Sequence, residues 1–519
     1  MAPLVLVSRN LVPLMDSSLK SKSLTAFVWG GGGALLRLVL QMGSQIVLAR
    51  LLGPEQYGLF AIGVMVISLS NFFAELGLAY GLIQRPSVND QDIRFVFTWQ
   101  VILGGIVCGL LVLSASAIAE FFAEARVEAV VRALAPMCLL QAISAVSLSL
   151  LKREINYKAI QITQICGYVM GYIATGIPLA LMGYEVWALV WAWCVQVVVS
   201  LIMAYTFCRH PLRLKFLHPD CKDMMDFGFK VLATNLVNWV VSNADRVVVA
   251  RTLPPHLVGL YTTSYNLMFT PAGAAMGVIQ PVMYSACSQV QGDLARIREA
   301  YLTIASAISI ALLPLFIVLA VIPETFIRAL YGDVWIEAAS LITPLALAMP
   351  FFLLWNITTP ALWTIGRLTS ELKLQTFISV LWIGFAFLAV RLSLVAVAWT
   401  VFGLFVFRFI IFSCFLGKFI DLPFNTNLRV LRGGFIIAVV VACIATATDR
   451  IMLQLGVDLP IYRLLAVFST SLFSYFLTIW LYPQLFDARL IVIVRAGALK
   501  VSPRFARALD QYFRIGPAS

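Results

Sequence analysis

Apolar runs of about 20 residues recur along the whole chain, and they constrain the fold more than any other feature of the sequence. A helix of this length spans the hydrocarbon core of a bilayer, whereas a membrane β-strand needs only about ten alternating residues. The chain of 519 residues is 61% hydrophobic and 12% charged, against roughly 45–50% and 25% in soluble domains. Since lipid-facing backbone must be hydrogen-bonded within the segment, the sequence predicts an all-α integral membrane protein.

Hydropathy predicts about fourteen transmembrane helices joined by short loops. The predicted spans are 24–49, 58–83, 95–119, 130–150, 158–182, 186–207, 227–250, 259–286, 298–321, 338–364, 374–391, 393–416, 434–452 and 461–482. Membrane enzymes that polymerise or transfer sugars usually carry a sizeable outer or carboxylate-rich loop. The predicted outer loops are short, so the sequence favours a transporter over an enzyme.

The distribution of basic residues predicts the orientation of the chain in the membrane. When residues near the end of a span are counted with the adjoining segment, 26 of the 37 Lys and Arg residues fall on the side of the N-terminus, 8 fall on the opposite side and 3 lie deeper within spans. Cytoplasmic loops carry such an excess of basic residues. Both termini are therefore predicted to be cytoplasmic, and the net charge of +12 needs no nucleic-acid partner to explain it.

A short motif repeats at a constant offset of 201 residues, at the ends of predicted spans 1 and 7. Within 48–60 and 249–261, six of thirteen positions are identical, including Arg50 with Arg251, Pro54 with Pro255 and the glycines at 58 and 259. Six spans separate the copies, so both copies have the same orientation. The sequence thus predicts two parallel six-helix repeats around a central cavity, followed by two C-terminal helices.

The repeat and the charge pattern predict six regions. They are a cytoplasmic N-terminal segment (1–23), an N-lobe with spans 1–6 (24–207), a cytoplasmic linker (208–226), a C-lobe with spans 7–12 (227–416), spans 13 and 14 (434–482) and a basic cytoplasmic tail (483–519). Nine cysteines without close spacing indicate neither a disulfide framework nor a metal site.

Five ionisable residues are predicted within spans: Arg37, Glu75, Asp245, Arg246 and Arg408. Each costs roughly 2.5–3.5 kcal/mol to place in lipid on insertion scales, so these side chains should face the protein interior or a water-filled cavity. Three of these residues lie on the same helix face as other polar residues, and each of these faces forms a polar stripe. These are Arg37, Gln41 and Gln45 in span 1, Ser68, Asn71 and Glu75 in span 2, and Asn235, Asn238, Ser242 and Asp245 in span 7. The simplest packing turns all three stripes toward the gap between the repeats.

The repeat motif also carries a family resemblance that covers roughly 20–420. The pattern around Arg50 and Pro54 resembles the start of Wzx-type polysaccharide-export flippases of the multidrug/oligosaccharidyl-lipid/polysaccharide (MOP) superfamily. Further matches in the same order are Asp245-Arg246, Gly259-Leu260-Tyr261, Pro281-Val282-Met283-Tyr284-Ser285, Tyr331-Gly332-Asp333-Val334-Trp335 and Gly366-Arg367.

The resemblance implies a flippase that moves an undecaprenyl-diphosphate-linked oligosaccharide from the cytoplasmic to the periplasmic leaflet by alternating access, for surface polysaccharide or exopolysaccharide biosynthesis. It also implies a location in the bacterial inner membrane, and a polysaccharide polymerase and chain-length or export proteins as partners. The alternative is a cation-coupled exporter of small molecules or drugs, as in the related multidrug branch. A structural membrane protein is a further alternative, which the repeat and the buried charges disfavour.

For the flippase, we expect substrate contacts from the ionisable residues and the amides of the stripes. The forked donors of Arg37, and of Arg246 or Arg408, suit a diphosphate. The amides suit sugar hydroxyls. The expected substrate-binding set is Arg37, Gln41, Gln45, Asn71, Glu75, Asn235, Asn238, Asp245, Arg246 and Arg408.

Other readings of the same residues stay open. The arginines could instead pair with Glu75 and Asp245 to join helices. No cofactor is expected. Protons, sodium or the membrane potential could drive transport, with Glu75 or Asp245 as the coupling group.

Overall fold

The fold is known from a computed structural model, which describes the backbone of residues 17–485 apart from 86 and 291, and the side chains of residues 31–485 apart from 84, 86, 241 and 291. Every regular element in this part of the chain is helical. By its internal contacts the chain forms two compact units. Unit 1 runs to Asn243 and includes Ala250–Gly259, and unit 2 comprises Ala244–Val249 and the chain from Leu260 onward.

Unit 1 is built around one strongly buried helix. Its helices are α1 (Ser17–Glu75), α2 (Leu78–Gln84), α3 (Asp90–Phe121), α4 (Arg126–Arg153), α5 (Tyr157–Tyr168), a π-helical segment (Val169–Gly176), α6 (Ile177–Leu181) and α7 (Val186–Phe207). α4 packs against α1, α3 and α7, and is more buried than any other candidate span of this unit. α8 (Cys221–Thr252) contributes to both units.

Unit 2 has its own buried centre. Its helices are α9 (Pro255–Gln289, mostly in this unit), α10 (Leu294–Ala311), α11 (Leu313–Val321), α12 (Pro323–Tyr331), a 3₁₀ segment (Asp333–Ala338), α13 (Ala339–Asn356), α14 (Thr358–Thr364), α15 (Leu368–Val390), α16 (Leu394–Ile420), α17 (Phe424–Gln454), α18 (Pro460–Leu481) and a 3₁₀ turn (Pro483–Leu485). α13 packs on α16, while α17 packs on α10, α11 and α18.

Eleven segments of the described chain are long and apolar enough to cross a membrane. The first, Gly31–Glu75, has 45 residues, or about 68 Å at 1.5 Å per residue. That is about twice a bilayer core. The helix is kinked at Gly53, where φ is 72° and Pro54 follows, so this segment accommodates predicted spans 1 and 2.

Predicted spans 7 and 8 correspond to α8 and α9, which are 32 and 35 residues long but are not among those eleven segments. Polar side chains, including Asp245 and Arg246, lower the hydropathy of α8. The predicted count of fourteen spans, their orientation and the boundaries of the six regions stay predictions.

Predicted span 2 (58–83) is interrupted in the structure. α1 ends at Glu75, Leu76 and Gly77 have positive φ, and α2 begins at Leu78. Tight packing explains why the break falls at a glycine. A Cβ on Gly77 would lie 2.6 Å from the Val231 side chain and 3.1 Å from the carbonyl oxygen of Gly228.

Three further predicted spans are interrupted. Span 5 contains the π-helical segment, where Gly171 packs so closely on α7 that a Cβ would meet the carbonyl oxygen of Ala192. Span 9 breaks at Leu312, two residues before Pro314, which lacks the N–H that would continue the helix. Span 10 breaks at Ile357.

The predicted linker is tied to the rest of unit 1 by polar contacts around the buried carboxylate of Asp92. Asp92, which caps the start of α3 together with Asn89, binds Arg85 at 2.7 Å and the Nε2 atom of His218 at 3.1 Å. Arg85 also binds Asp220 at 3.1 Å. These contacts fix residues 218–220 at the N-terminus of α3.

The two copies of the repeated motif touch each other reciprocally within unit 1. A Cβ on Gly58 would collide with the carbonyl oxygen of Pro255, and a Cβ on Gly259 would collide with the carbonyl oxygen of Pro54. Only glycine allows backbone to approach backbone so closely. This close approach accounts for the recurrence of glycine at positions 58 and 259.

Candidate functional site

A polar cavity of about 390 Å³ lies inside unit 1. The cavity is lined by Glu75 at the end of α1, Gln141 and Lys152 on α4, Gln164 on α5 and Gln196 on α7, together with three serines and one threonine. The cavity thus holds one carboxylate, one ammonium group and three amides. Amides and hydroxyls at this density can exchange hydrogen bonds with a ligand rich in hydroxyl groups.

Three of the predicted residues of unit 1 lie at this cavity. Glu75 lines it directly. Arg37 donates a hydrogen bond to the Oε1 atom of Gln164, and the Nδ2 atom of Asn71 donates to the Oε1 atom of Gln141 at 2.6 Å. Both glutamines line the cavity. The stripes of spans 1 and 2 therefore each contact an amide of the cavity lining, on α5 and α4 respectively.

The other predicted residues of unit 1 are less closely associated with the cavity. The side chains of Gln41 and Gln45 are half-buried, and their carbonyl oxygens accept hydrogen bonds from Tyr168 and Tyr57. On α8, Asn235 is half-buried and Asn238 is exposed within the structure. None of these residues lines the cavity of unit 1.

The contribution of α4 to this cavity was not predicted from the sequence. Gln141, Ser144, Leu148 and Lys152 lie on one face of α4, at the i, i+3, i+7, i+11 spacing of a helix. The spacing was visible in the sequence. However, Lys152 fell just outside the predicted span 130–150 and was assigned to a loop.

In unit 2, both of the arginines that were predicted as site residues stack on aromatic rings. The guanidinium carbon of Arg246 lies 4.4 Å from the ring centroid of Tyr265, and that of Arg408 lies 4.5 Å from the ring centroid of Trp355. The Nη2 atom of Arg246 donates to Asn266 at 3.2 Å, and that of Arg408 donates to Ser379 at 3.0 Å.

Neither of these guanidinium groups pairs with a carboxylate among the described residues. Arg408 is only 4% exposed, and such a buried charge ordinarily needs a counter-charge. The Nε atoms of Arg246 and Arg408 are buried and have no hydrogen-bond partner in the described part of the chain. Two cations held by stacking, with donors unused, form an arrangement that can bind an anion.

Asp245 and Arg246 are neighbours in sequence, but their side chains contact different residues. The Oδ2 atom of Asp245 accepts a hydrogen bond of 2.6 Å from the Tyr261 hydroxyl group, whereas Arg246 stacks on Tyr265. Adjacent residues on a helix do not face each other, so the side chains diverge. The alternative interpretation was that the arginines pair with Glu75 or Asp245. Among the described residues, Arg37, Arg246 and Arg408 form no ion pair with either carboxylate.

The aromatic partners of the arginines were also missed, although their spacing is regular. Tyr261, Tyr265 and Phe269 recur every four residues on α9, and neighbouring rings pack with centroids 6.3 and 5.7 Å apart. An aromatic stripe inside an apolar helix is usually core, and for that reason the sequence alone did not single it out.

Across the described residues, no group of three His, Cys, Asp or Glu side chains could hold a metal ion.

The chain is similar to curated proteins of polysaccharide biosynthesis. It is 22% identical over 320 residues to the lipopolysaccharide biosynthesis protein WzxC of Escherichia coli (strain K12), a match that covers 61% of this chain and 65% of that protein. It is 24% identical over 428 residues to the teichuronic acid biosynthesis protein TuaB of Bacillus subtilis (strain 168), covering 79% and 85%. The chain thus spans just under two thirds of WzxC.

Two kinds of solved structure share the fold. The lipid II flippase MurJ, in an inward closed conformation, superposes with a TM-score of 0.70 at 13% identity, over 89% of this chain and all of that one. An inward-facing multidrug resistance MATE family transporter of the MOP superfamily gives 0.60 at 16% identity, over 74% and 94%. At such identities the likeness establishes the all-α membrane-transporter fold.

The profile of the polysaccharide biosynthesis protein family matches residues 47–340, which are more than half of the chain. That range includes the repeated motif, the cavity of unit 1 and Arg246 with its aromatic partner. The chain is a multi-pass membrane protein and belongs to the polysaccharide biosynthesis protein family.

Proposed function

We propose that this protein is a flippase that carries an undecaprenyl-diphosphate-linked oligosaccharide from the cytoplasmic to the periplasmic leaflet of a bacterial inner membrane. The observation that carries the proposal is the pair of stacked guanidiniums, Arg246 and Arg408, neither of which forms an ion pair with a carboxylate of the described residues. The fold shared with MurJ and the polysaccharide functions named for WzxC and TuaB support the same substrate class.

The physical role proposed for Arg246 and Arg408 is to hold the diphosphate. A guanidinium presents fixed, forked N–H donors that match phosphate oxygens, and stacking on Tyr265 and Trp355 fixes the plane of each fork. Because the fork is held before the ligand arrives, less side-chain entropy is lost on binding. Flipping requires no covalent step, so binding and release of the anion are the chemistry needed.

The polar cavity of unit 1 is proposed to serve the sugars. Gln141, Gln164 and Gln196 offer both donors and acceptors there, as sugar hydroxyl groups require. Arg37 holds Gln164 from the neighbouring helix, which makes it a positioning residue as well as a candidate ligand for phosphate. We propose that transport proceeds by alternating access.

Genetic complementation with a lipid readout tests the proposal. The gene is deleted, and the strain is complemented with wild type, Arg246→Ala, Arg408→Ala, Arg37→Ala or the control Arg391→Ala, which removes an exposed arginine. Lipid-linked sugars are then extracted and identified by mass spectrometry, and surface polysaccharide is measured. Immunoblots of membranes establish equal amounts of each variant.

We expect the deletion strain and the three test variants to accumulate a lipid-diphosphate oligosaccharide and to lose surface polysaccharide. Each lost charge-assisted contact of about 1.5–3 kcal/mol should weaken binding roughly 10- to 150-fold, while Arg391→Ala behaves as wild type. Full export by Arg246→Ala and Arg408→Ala would refute the diphosphate role. If the deletion strain has unchanged lipid-linked sugars but becomes sensitive to drugs, the protein is a multidrug exporter and the flippase proposal is wrong.

A further inference from the structure

A second cavity, unrelated to the residues discussed so far, lies in unit 2 and has a volume of about 760 Å³. It lies among α10, α11, α13, α16 and the start of α17. Its volume is within the range of about 300–1,000 Å³ typical of ligand sites. Its lining is mainly apolar, with Phe351, Phe402, Phe409 and Phe435 among the larger side chains.

The polar atoms of this cavity are concentrated on the first turns of α17. Asn425, Arg429 and Arg432 line the cavity along one face of that helix, and Phe435 continues the face. All four side chains are exposed. The cavity therefore has a basic end, at the start of α17, and an apolar end.

The basic end carries no counter-charge within the described residues. The lining includes no Asp or Glu, and neither Arg429 nor Arg432 forms an ion pair in that part of the chain. The basic-residue distribution predicts that the segment between spans 12 and 13, which contains both arginines, is on the cytoplasmic side. Anionic lipids give the cytoplasmic leaflet a negative surface, and basic pockets between helices on that side bind anionic headgroups.

We propose that this cavity binds one anionic phospholipid of the cytoplasmic leaflet. Its phosphate contacts Arg429 and Arg432, Asn425 hydrogen-bonds the headgroup or ester oxygens, and an acyl chain lies against Phe351, Phe402 and the neighbouring apolar side chains. Charge complementarity selects the headgroup, and burial of apolar surface retains the chain. The site is separate from Arg246 and Arg408, so it can exist whether or not the protein is a flippase.

Lipid titration of the purified full-length protein tests this inference. The protein in neutral detergent is titrated with phosphatidylglycerol, and bound lipid is counted by native mass spectrometry. Phosphatidylcholine is the neutral-headgroup control, and a dihexanoyl phosphatidylglycerol tests the need for the acyl chain. The test variant is the double substitution Arg429→Gln/Arg432→Gln. The matched control is Arg450→Gln, an exposed arginine at the other end of the same helix and outside the cavity.

We expect one phosphatidylglycerol to bind more tightly than phosphatidylcholine or the short-chain lipid. With about 1 kcal/mol for each basic residue near an anionic surface, the double variant should bind it about 30-fold more weakly, and Arg450→Gln should match wild type. Circular dichroism and gel filtration check that the variants fold.

Three results would overturn the assignment. Equal affinity of wild type for the two headgroups would exclude a charge-selective site. Unchanged affinity in the folded double variant would place the lipid elsewhere. The third result is that a polyprenyl phosphate binds more tightly than phosphatidylglycerol to the wild type and loses this affinity in the double variant. That result would show that the cavity binds the transported substrate and not a membrane phospholipid.

Discussion

The reciprocal contact between Gly58 and Pro255 predicts that alanine is poorly tolerated at a position where helix propensity alone would favour it. Replacing glycine by alanine inside a helix normally stabilises it by about 0.5–1 kcal/mol. At Gly58 the added methyl group would collide with the carbonyl oxygen of Pro255 and would also lie 2.9 Å from the backbone nitrogen of Gly259. Both are backbone atoms, which cannot rotate away as a side chain can.

The expected cost follows from the nature of that clash. Inserting a methylene-sized group into a well-packed interior typically costs about 1–3 kcal/mol, and we expect Gly58→Ala to lie near the upper limit because the helix ends must separate. Gly43 lies on the same helix, and nothing lies within 4 Å of its Cβ position. Gly43→Ala should therefore be stabilising by about 0.5–1 kcal/mol, so the two alanine variants should differ in sign.

Thermal unfolding of the purified protein in detergent, followed by tryptophan fluorescence, measures this difference. We expect the Tm to fall for Gly58→Ala and Gly259→Ala and to be unchanged or raised for Gly43→Ala. Both clashes are relieved by the same separation of the backbone, so the double variant Gly58→Ala/Gly259→Ala should cost less than the sum of the single variants. A Tm for Gly58→Ala equal to that of Gly43→Ala would refute the close approach.

Two further predictions concern the buried side chains of His210 and Arg463. Burial among Phe97 and other side chains lowers the pKa of His210, so the neutral form is favoured on folding. This stabilisation should be complete above pH about 6.5, the pKa of histidine in the unfolded chain, and should be lost as the pH falls below that value. His210→Phe should therefore flatten this part of a plot of Tm against pH. An unchanged slope would contradict the argument that burial lowers the pKa. Asp449 binds the buried Arg463 at 2.9 Å and accepts a hydrogen bond of 2.7 Å from Thr325. Asp449→Asn should lower the free energy of unfolding by about 3 kcal/mol, because it leaves a buried cation unpaired. The double variant Asp449→Leu/Arg463→Met should lower it much less, because it removes both charges. Chemical unfolding measures both changes, and equal losses of stability would show that the ion pair itself stabilises the fold.

The fold class was predictable because hydropathy and membrane thickness leave few options, and the all-α membrane fold is confirmed by the structure. The helix interruptions were harder to predict. Gly53 precedes a proline, which is a visible signal for a kink, but the break at Leu76–Gly77 depends on the close approach of Val231 and Gly228. Such a contact joins residues about 150 positions apart, and single-sequence periodicity contains no information about it.

The candidate site shows the same division between local pattern and long-range contact. Arg246 and Arg408 stood out because a charge in an apolar span is rare. Their stacking partners, Tyr265 and Trp355, did not stand out, since buried aromatic residues are common in membrane helices. The partners of Arg37 and Asn71 were missed for a related reason. Gln164 and Gln141 are ordinary polar residues until the packing of α1 against α4 and α5 brings them together.

The motif contact at Pro54, Gly58, Pro255 and Gly259 has the form of an isologous interface. In a two-fold symmetric dimer, residue i of one subunit contacts residue j of the other, and j contacts i in return. Here both sides of that relation belong to a single polypeptide, so each copy of the motif is already occupied by the other. The motif is therefore not free to join a second molecule, and each glycine is constrained by the backbone of the other copy.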